Sequence, residues 1–148
     1  MNPLLKACTL VLLFALAVIK NAQTLRVQIL NGKTGKPVAN EHVNLFRYGE
    51  FGDLTGDRNV RGFTTDADGI ITSSDFAPDT HSFYVSVDWH RQCTKKSQVN
   101  DVAFSLQEIF TRGIVSENTC KAKLERSAKP GTLILFVREE TFFEKMAH

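Results

Sequence analysis

Some residues in this chain have the types and spacing to do chemistry. Counted from Thr64, the stretch GFTTDADGIITSSDF puts Asp66 at the third position of a calcium loop, Asp68 at the fifth, Gly69 at the sixth, Ile71 at the eighth and Asp75 at the twelfth. A calcium loop of this kind needs a helix on each side. Neither flank supplies one, because Gly49, Gly52, Gly56 and Gly62 break the preceding segment and Pro78 follows soon after. The first ligand position is Thr64 instead of a carboxylate, and the last is the shorter Asp75. A turn explains the same residues. Phe63 and Thr65 end one strand, Asp66 to Gly69 reverse the chain, and Ile70 and Ile71 begin the next, so a β-hairpin is expected. Asp66, Asp68 and Asp75 stay as the alternative divalent-metal set.

The second group lies on SFYVSVDWH. Period-two alternation puts Phe83, Val85, Val87 and Trp89 on one face of a strand and Tyr84, Ser86, Asp88 and His90 on the other. Tyr84, Asp88 and His90 on one face could bind a divalent metal or a sugar. The plain reading is the solvated face of a one-sided sheet. No Ser-His-Asp or Cys-His spacing forms a catalytic signature, so neither enzyme activity nor a cofactor is expected.

The amino terminus sets the compartment. Lys6 is followed by an apolar run from Ala7 to Ile19, shorter than the roughly 20 residues that span a bilayer. It has the form of a secretory signal peptide, and an uncleaved anchor is the alternative. Cleavage after Ala17 and cleavage after Ala22 compete. The second leaves Gln23 directly before the first strand and is preferred, giving a signal peptide over 1–22 and one domain over 23–148. Export to the periplasm or the outside of the cell follows. Cys8 then leaves with the signal, and Cys93 and Cys120 remain as a pair in an oxidising compartment. His90 lies three residues before Cys93, but no second ligand pair accompanies it. A Cys93–Cys120 disulfide is expected, closing a loop of about 28 residues at a gain of roughly 3 kcal/mol.

The remaining elements must position these groups. Leu25, Val27 and Ile29 alternate with Arg26 and Gln28, and Val43 and Leu45 point inward from EHVNLF. The span 48–62 reads as a long exposed loop. VAFSLQEIF fits a strand through Val102, Phe104 and Leu106, or a helix through Leu106, Ile109 and Phe110. TLILFV, 132–137, is apolar on both faces and reads as a central covered strand. Phe142, Phe143 and Met146 have helical spacing and two possible destinations, outward into a membrane or partner groove or back onto the sandwich edge as a short capping helix; closing the domain's own edge is the expectation. Short strands joined by turns indicate an all-β sandwich of about seven strands with a short C-terminal helix. Lys and Arg number 18 against 16 Asp and Glu, and the basic residues are scattered, so no nucleic-acid surface is expected.

LRVQILNGKTGKPVANEHVNLF, followed by TTDADG and SFYVSVDW, resembles the carboxypeptidase regulatory-like domain over about 70 residues. The resemblance rests on the Gly35-Lys36-Pro37-Val38 turn between two strands and on Thr65 to Gly69. It implies an Ig-like, transthyretin-like (prealbumin-like) sandwich and brings no activity, while the second half, with EIFTRGIVSENTC and KPGTLILFVREETFFEKM, looks similar to uncharacterised exported bacterial proteins. Enzymes on transthyretin-like sandwiches do not fit. The first strand lacks His, the chain ends EKMAH, and Tyr48, Tyr84, His81 and His90 do not have the His-x-His spacing of intradiol dioxygenases. The resulting expectation is an exported, non-catalytic module binding a protein or polysaccharide at the cell envelope. The alternatives are a small metal- or ligand-binding protein using the acidic loops, or an enzyme of unrecognised type.

Overall fold

The computed structural model of the chain describes residues 23–48, 60–74, 76, 80–95, 102–120, 124 and 126–146. The expected signal peptide, most of the 48–62 loop and Asp75 lie outside these. The described strands are β1 (Leu25–Asn31), β2 (His42–Tyr48), β3 (Val60–Thr64), β4 (Ile70–Ser73), β5 (Ser82–Val87), β6 (His90–Gln92), β7 (Phe104–Ser105), β8 (Ile114–Val115) and β9 (Thr132–Glu139). They form a five-stranded sheet, β4-β1-β9-β6 with β8 also beside β9, and a four-stranded sheet, β3-β2-β5-β7. The two pack face to face as an all-β sandwich. Strands β6, β7 and β8 have three residues or fewer, too short to leave a period in the sequence.

Leu25, Val27, Ile29, Leu133, Leu135 and Val137 from one sheet meet Val43, Leu45, Phe83, Val85, Val87 and Phe104 from the other in a single core. Alternation produces this directly, since each inward residue is followed by an outward one. The far side of the five-stranded sheet is covered too. Leu30, Cys93, Ile134 and Phe136 form a second cluster there, with Cys120, Leu124 and Ala128 packed against it. That double burial is why TLILFV is apolar at every position apart from its leading threonine.

Both edges of β9 are paired. β1 runs parallel to it from Arg26↔Thr132 to Asn31↔Val137. The other edge is shared by two pieces, β8 parallel at Leu133 and Ile134 and β6 antiparallel from Val137 to Glu139. Ser116 and Cys93 fill the gap between them. The Ser116 N–H donates to Ile134 O (2.8 Å), Phe136 N–H donates to Ser116 Oγ (3.0 Å), and Cys93 N–H donates to Phe136 O (2.9 Å).

VAFSLQEIF is both of the things its pattern allowed. β7 ends at Ser105, whose side chain caps helix α1 (Leu106–Arg112) by accepting from Glu108 N–H, and α1 buries Leu106 and Ile109.

Two expectations need correction. Asp66 to Gly69 do turn the chain, but no hairpin results: β3 pairs with β2 in one sheet and β4 with β1 in the other. The turn is a corner between sheets, tied at Thr65, which is buried and exchanges backbone bonds with Asn40 and Glu41. The strand SFYVSVDWH also stops early. Asp88 and Trp89 are a turn, Trp89 has φ +59°, and His90 starts β6 in the opposite sheet. Trp89 is therefore outside the core, 60% exposed.

The corner rests on two residues. Asp66 Oδ1 accepts from the N–H groups of Asp68 (2.9 Å) and Ile70 (2.8 Å). Gly69 has φ +69°, and a Cβ there would meet Ile29 O at 2.6 Å. Asp66→Ala is expected to lower stability by about 1 to 2 kcal/mol through the lost turn bonds. Gly69→Ala should cost about 2 kcal/mol or more, from positive φ and backbone collision together. Urea unfolding of both variants measures this, and equal, negligible losses would refute the corner's role.

Candidate functional site

The expected site residues end up in different places. Tyr84 lies on the outer face of the four-stranded sheet, directly opposite Phe46. Asp88 sits in the turn at the rim of that sheet, its N–H donating to His42 O at 3.0 Å. His90 has crossed to the other sheet, where its Nδ1 lies 2.7 Å from Asp88 O. The three do not share a face, because the turn at Asp88 and Trp89 interrupts the alternation that would have aligned them. Asp66 and Asp68 stay together in the corner, where Asp66 serves the turn. Among the described residues no group of three His, Cys, Asp or Glu is arranged to hold a metal ion.

Cys93 and Cys120 are joined, with Cα atoms 5.5 Å apart. The bridge ties the end of β6 to the segment after β8, the two pieces that share an edge of β9. Thr119 N–H donates to Cys93 O (2.8 Å), and Asn118 reaches Gly32 O (2.9 Å). Gly32 is required beside it, since a Cβ there would stand 2.5 Å from Cys93 Sγ.

An open groove of about 560 Å³ runs from this disulfide to the C-terminal turn, lined by Arg91, Lys95, Arg138, Phe143 and Glu144 among others. Its charge arrangement follows from strand register. Arg91 on β6 lies directly opposite Arg138 on β9, and like charges so placed destabilise a sheet. Glu144 resolves the conflict. Its two carboxylate oxygens take a bidentate pair of bonds from Arg138 (2.7 and 2.8 Å), and Arg91 Nε lies 3.5 Å away, with Glu140 at 3.3 Å. Glu144 sits on α2 (Phe142–Lys145), a single turn closed by a Thr141 capping box. The carboxylate thus latches the tail to β9.

The tail does not bury its apolar side chains. Phe142, Phe143 and Met146 are 71%, 83% and 72% exposed. The expectation that they close the domain edge is overturned: the latch holds α2 by its charged residue, which turns the phenyl rings outward. The rings of Phe142 and Phe143 meet edge-on at 5.9 Å, and Lys145 Nζ lies 5.8 Å from the Trp89 ring. Glu140 N–H donates to Trp89 O (2.8 Å), so the turn and the tail are one end of the molecule.

Sequence reasoning missed the Arg91–Arg138–Glu144 group, since register between β6 and β9 has no local signal. Thr141 followed three residues later by Glu144 is the capping signature that could have indicated it. Phe46 was also missed, although alternation with Val43 and Leu45 places it outward. The described helices contain none long and apolar enough to cross a membrane. Comparison with protein-family models, curated proteins and solved structures finds no match for this chain.

The hydrogen-bonded Arg138 guanidinium, helped by the Thr141 N–H, holds the Glu144 carboxyl well below its ordinary value of 4.5. A depressed acid stabilises fully above its ordinary value and loses that contribution as pH falls towards its folded value. The latch is therefore expected to hold at neutral pH and loosen progressively in acid, below about 4.5. Amide exchange at Phe142 to Met146 reads this. Glu144→Gln should show fast exchange already at neutral pH and lose the acid dependence, and unchanged exchange in that variant would remove the latch.

Proposed function

We propose that the chain is an exported, non-catalytic β-sandwich module that binds a protein partner at the cell envelope through the Trp89–α2 end. One observation carries the reading. The four most exposed large hydrophobic residues among those described, Trp89, Phe142, Phe143 and Met146, stand at a single end. Aromatic residues and methionine ringed by charges are the composition of an interface centre, and burying each such side chain is worth roughly 1.5 to 3 kcal/mol. Latching and capping restrict the tail before any partner arrives, which reduces the entropy lost on docking. Trp89 adds a second sign, since a bulky residue at positive φ stores strain and glycine would suit the turn better.

The apolar segment Ala7 to Ile19 and the Cys93–Cys120 pair support export. The resemblance through Gly35 to Val38 and Thr65 to Gly69 belongs to the same proposal. In it the domain is a carboxypeptidase regulatory-like, transthyretin-like sandwich of Ig-like type that serves as a binding unit.

The test is photocrosslinking in the native host, with a photoreactive residue at Phe143 or, as a control, at exposed Thr72 on β4. A discrete protein adduct is expected from position 143 and not from position 72. Trp89→Gly should abolish the adduct while the melting temperature holds or rises. Absence of an adduct at 143, or the same adducts from both positions, would overturn the reading.

A further inference from the structure

The two sheets differ in what their outer faces meet. That of the five-stranded sheet carries the second apolar cluster, whereas the outward residues of the four-stranded sheet whose burial is described are exposed or half-exposed. Register arranges this second face in rows across the strands. Val60, Phe46 and Tyr84 are aligned in one row and Gly62, Asn44 and Ser86 in the next. The rows lie about 7 Å apart along the strands. Val60 is 38% exposed, and Phe46 and Tyr84 are half-buried.

Gly62 leaves space on this face. A Cβ at that position would meet the His42 ring at 2.8 Å, so the missing side chain gives the imidazole room to lie across β3. No Lys, Arg, Asp or Glu stands in either row, in a chain where 23% of residues are charged. An aromatic row beside an amide-and-hydroxyl row, with no charged residue in either, complements a particular chemistry. The C–H face of a pyranose ring is apolar and stacks on aromatic rings, while its equatorial hydroxyls seek neutral donors and acceptors. Within these two rows an acidic polymer or a phosphate would find no cation.

We propose that the outer face of the four-stranded sheet binds a neutral, extended polysaccharide, with Phe46 and Tyr84 as the stacking platform and Asn44 and Ser86 as hydrogen-bonding groups. This site is separate from the Trp89–α2 end and does not depend on the reading of that end. With both surfaces in use, the module joins an envelope protein to a glycan.

Affinity electrophoresis of the protein purified from expression of the full chain tests it. The gels contain hydroxyethylcellulose or glycol chitin as neutral β-1,4-linked polymers, or polygalacturonate as an acidic one. Retardation by a neutral polymer is expected. Phe46→Ala and Tyr84→Ala should each weaken it by about tenfold, the scale of one stacked ring. Tyr84→Phe should keep most of it, and Asn44→Ala, which leaves both rings in place, should weaken it less. Phe143→Ala should leave it unchanged, which separates this site from the protein-docking end. Near-ultraviolet circular dichroism checks that each variant is folded. No retardation by either neutral polymer would overturn the proposal. So would retardation that survives both alanine substitutions, or retardation only by polygalacturonate that disappears with salt.

Discussion

β9 is buried on both faces and hydrogen-bonded on both edges, and segments distant in sequence supply each of those four sides. An unpaired N–H or C=O in that position would cost about 1 to 3 kcal/mol, so neither edge can be left open. β1 covers one edge with a continuous ladder. The other depends on β8 and β6, two and three residues long, which have little hold of their own. Ser116 and Cys93 supply the bonds between them, and the Cys93–Cys120 bridge joins the two pieces covalently. The disulfide thus completes a sheet edge as well as shortening the unfolded chain's freedom.

The latch extends this constraint to the surface. Arg138 belongs to β9, Arg91 to the β6 piece held beside it, and Glu144 binds both. Completing the edge therefore creates a pair of like charges, and neutralising that pair fixes α2 with its phenyl rings outward. The same crossing from β5 to β6 puts Trp89 next to them. The apolar end is a consequence of how β9 obtains its last partners.

Periodicity made the long elements legible. Leu25 to Ile29, Phe83 to Val87 and Leu133 to Val137 alternate or run apolar because packing on one or two faces requires it, and the cysteine pair was expected from parity together with the proposed export. What stayed hidden was whatever depends on which sheet a segment joins. Asp66 to Gly69 carry the same turn signals whether β3 and β4 pair or part, and the structure parts them. Asp88 and Trp89 contain no glycine or proline, so nothing in the local chemistry announced a positive φ at Trp89. The tail's apolar spacing was visible, but its direction was set by Glu144 and by a register no local pattern encodes. On the four-stranded sheet, the outward position of Phe46 was legible, and its alignment with Tyr84 was not.

Hydrogen exchange resolved by residue, comparing the oxidised protein with the Cys93→Ala/Cys120→Ala variant, tests the central claim most directly. If the bridge completes the edge of β9, its loss accelerates exchange at the amides of position 93, Ser116 and Phe136 and in the tail from Phe142 to Met146. The amides between β2 and β5 keep their protection, since nothing in that sheet depends on the bridge. Acceleration spread evenly over both sheets, or confined away from β9 and the tail, would contradict the account.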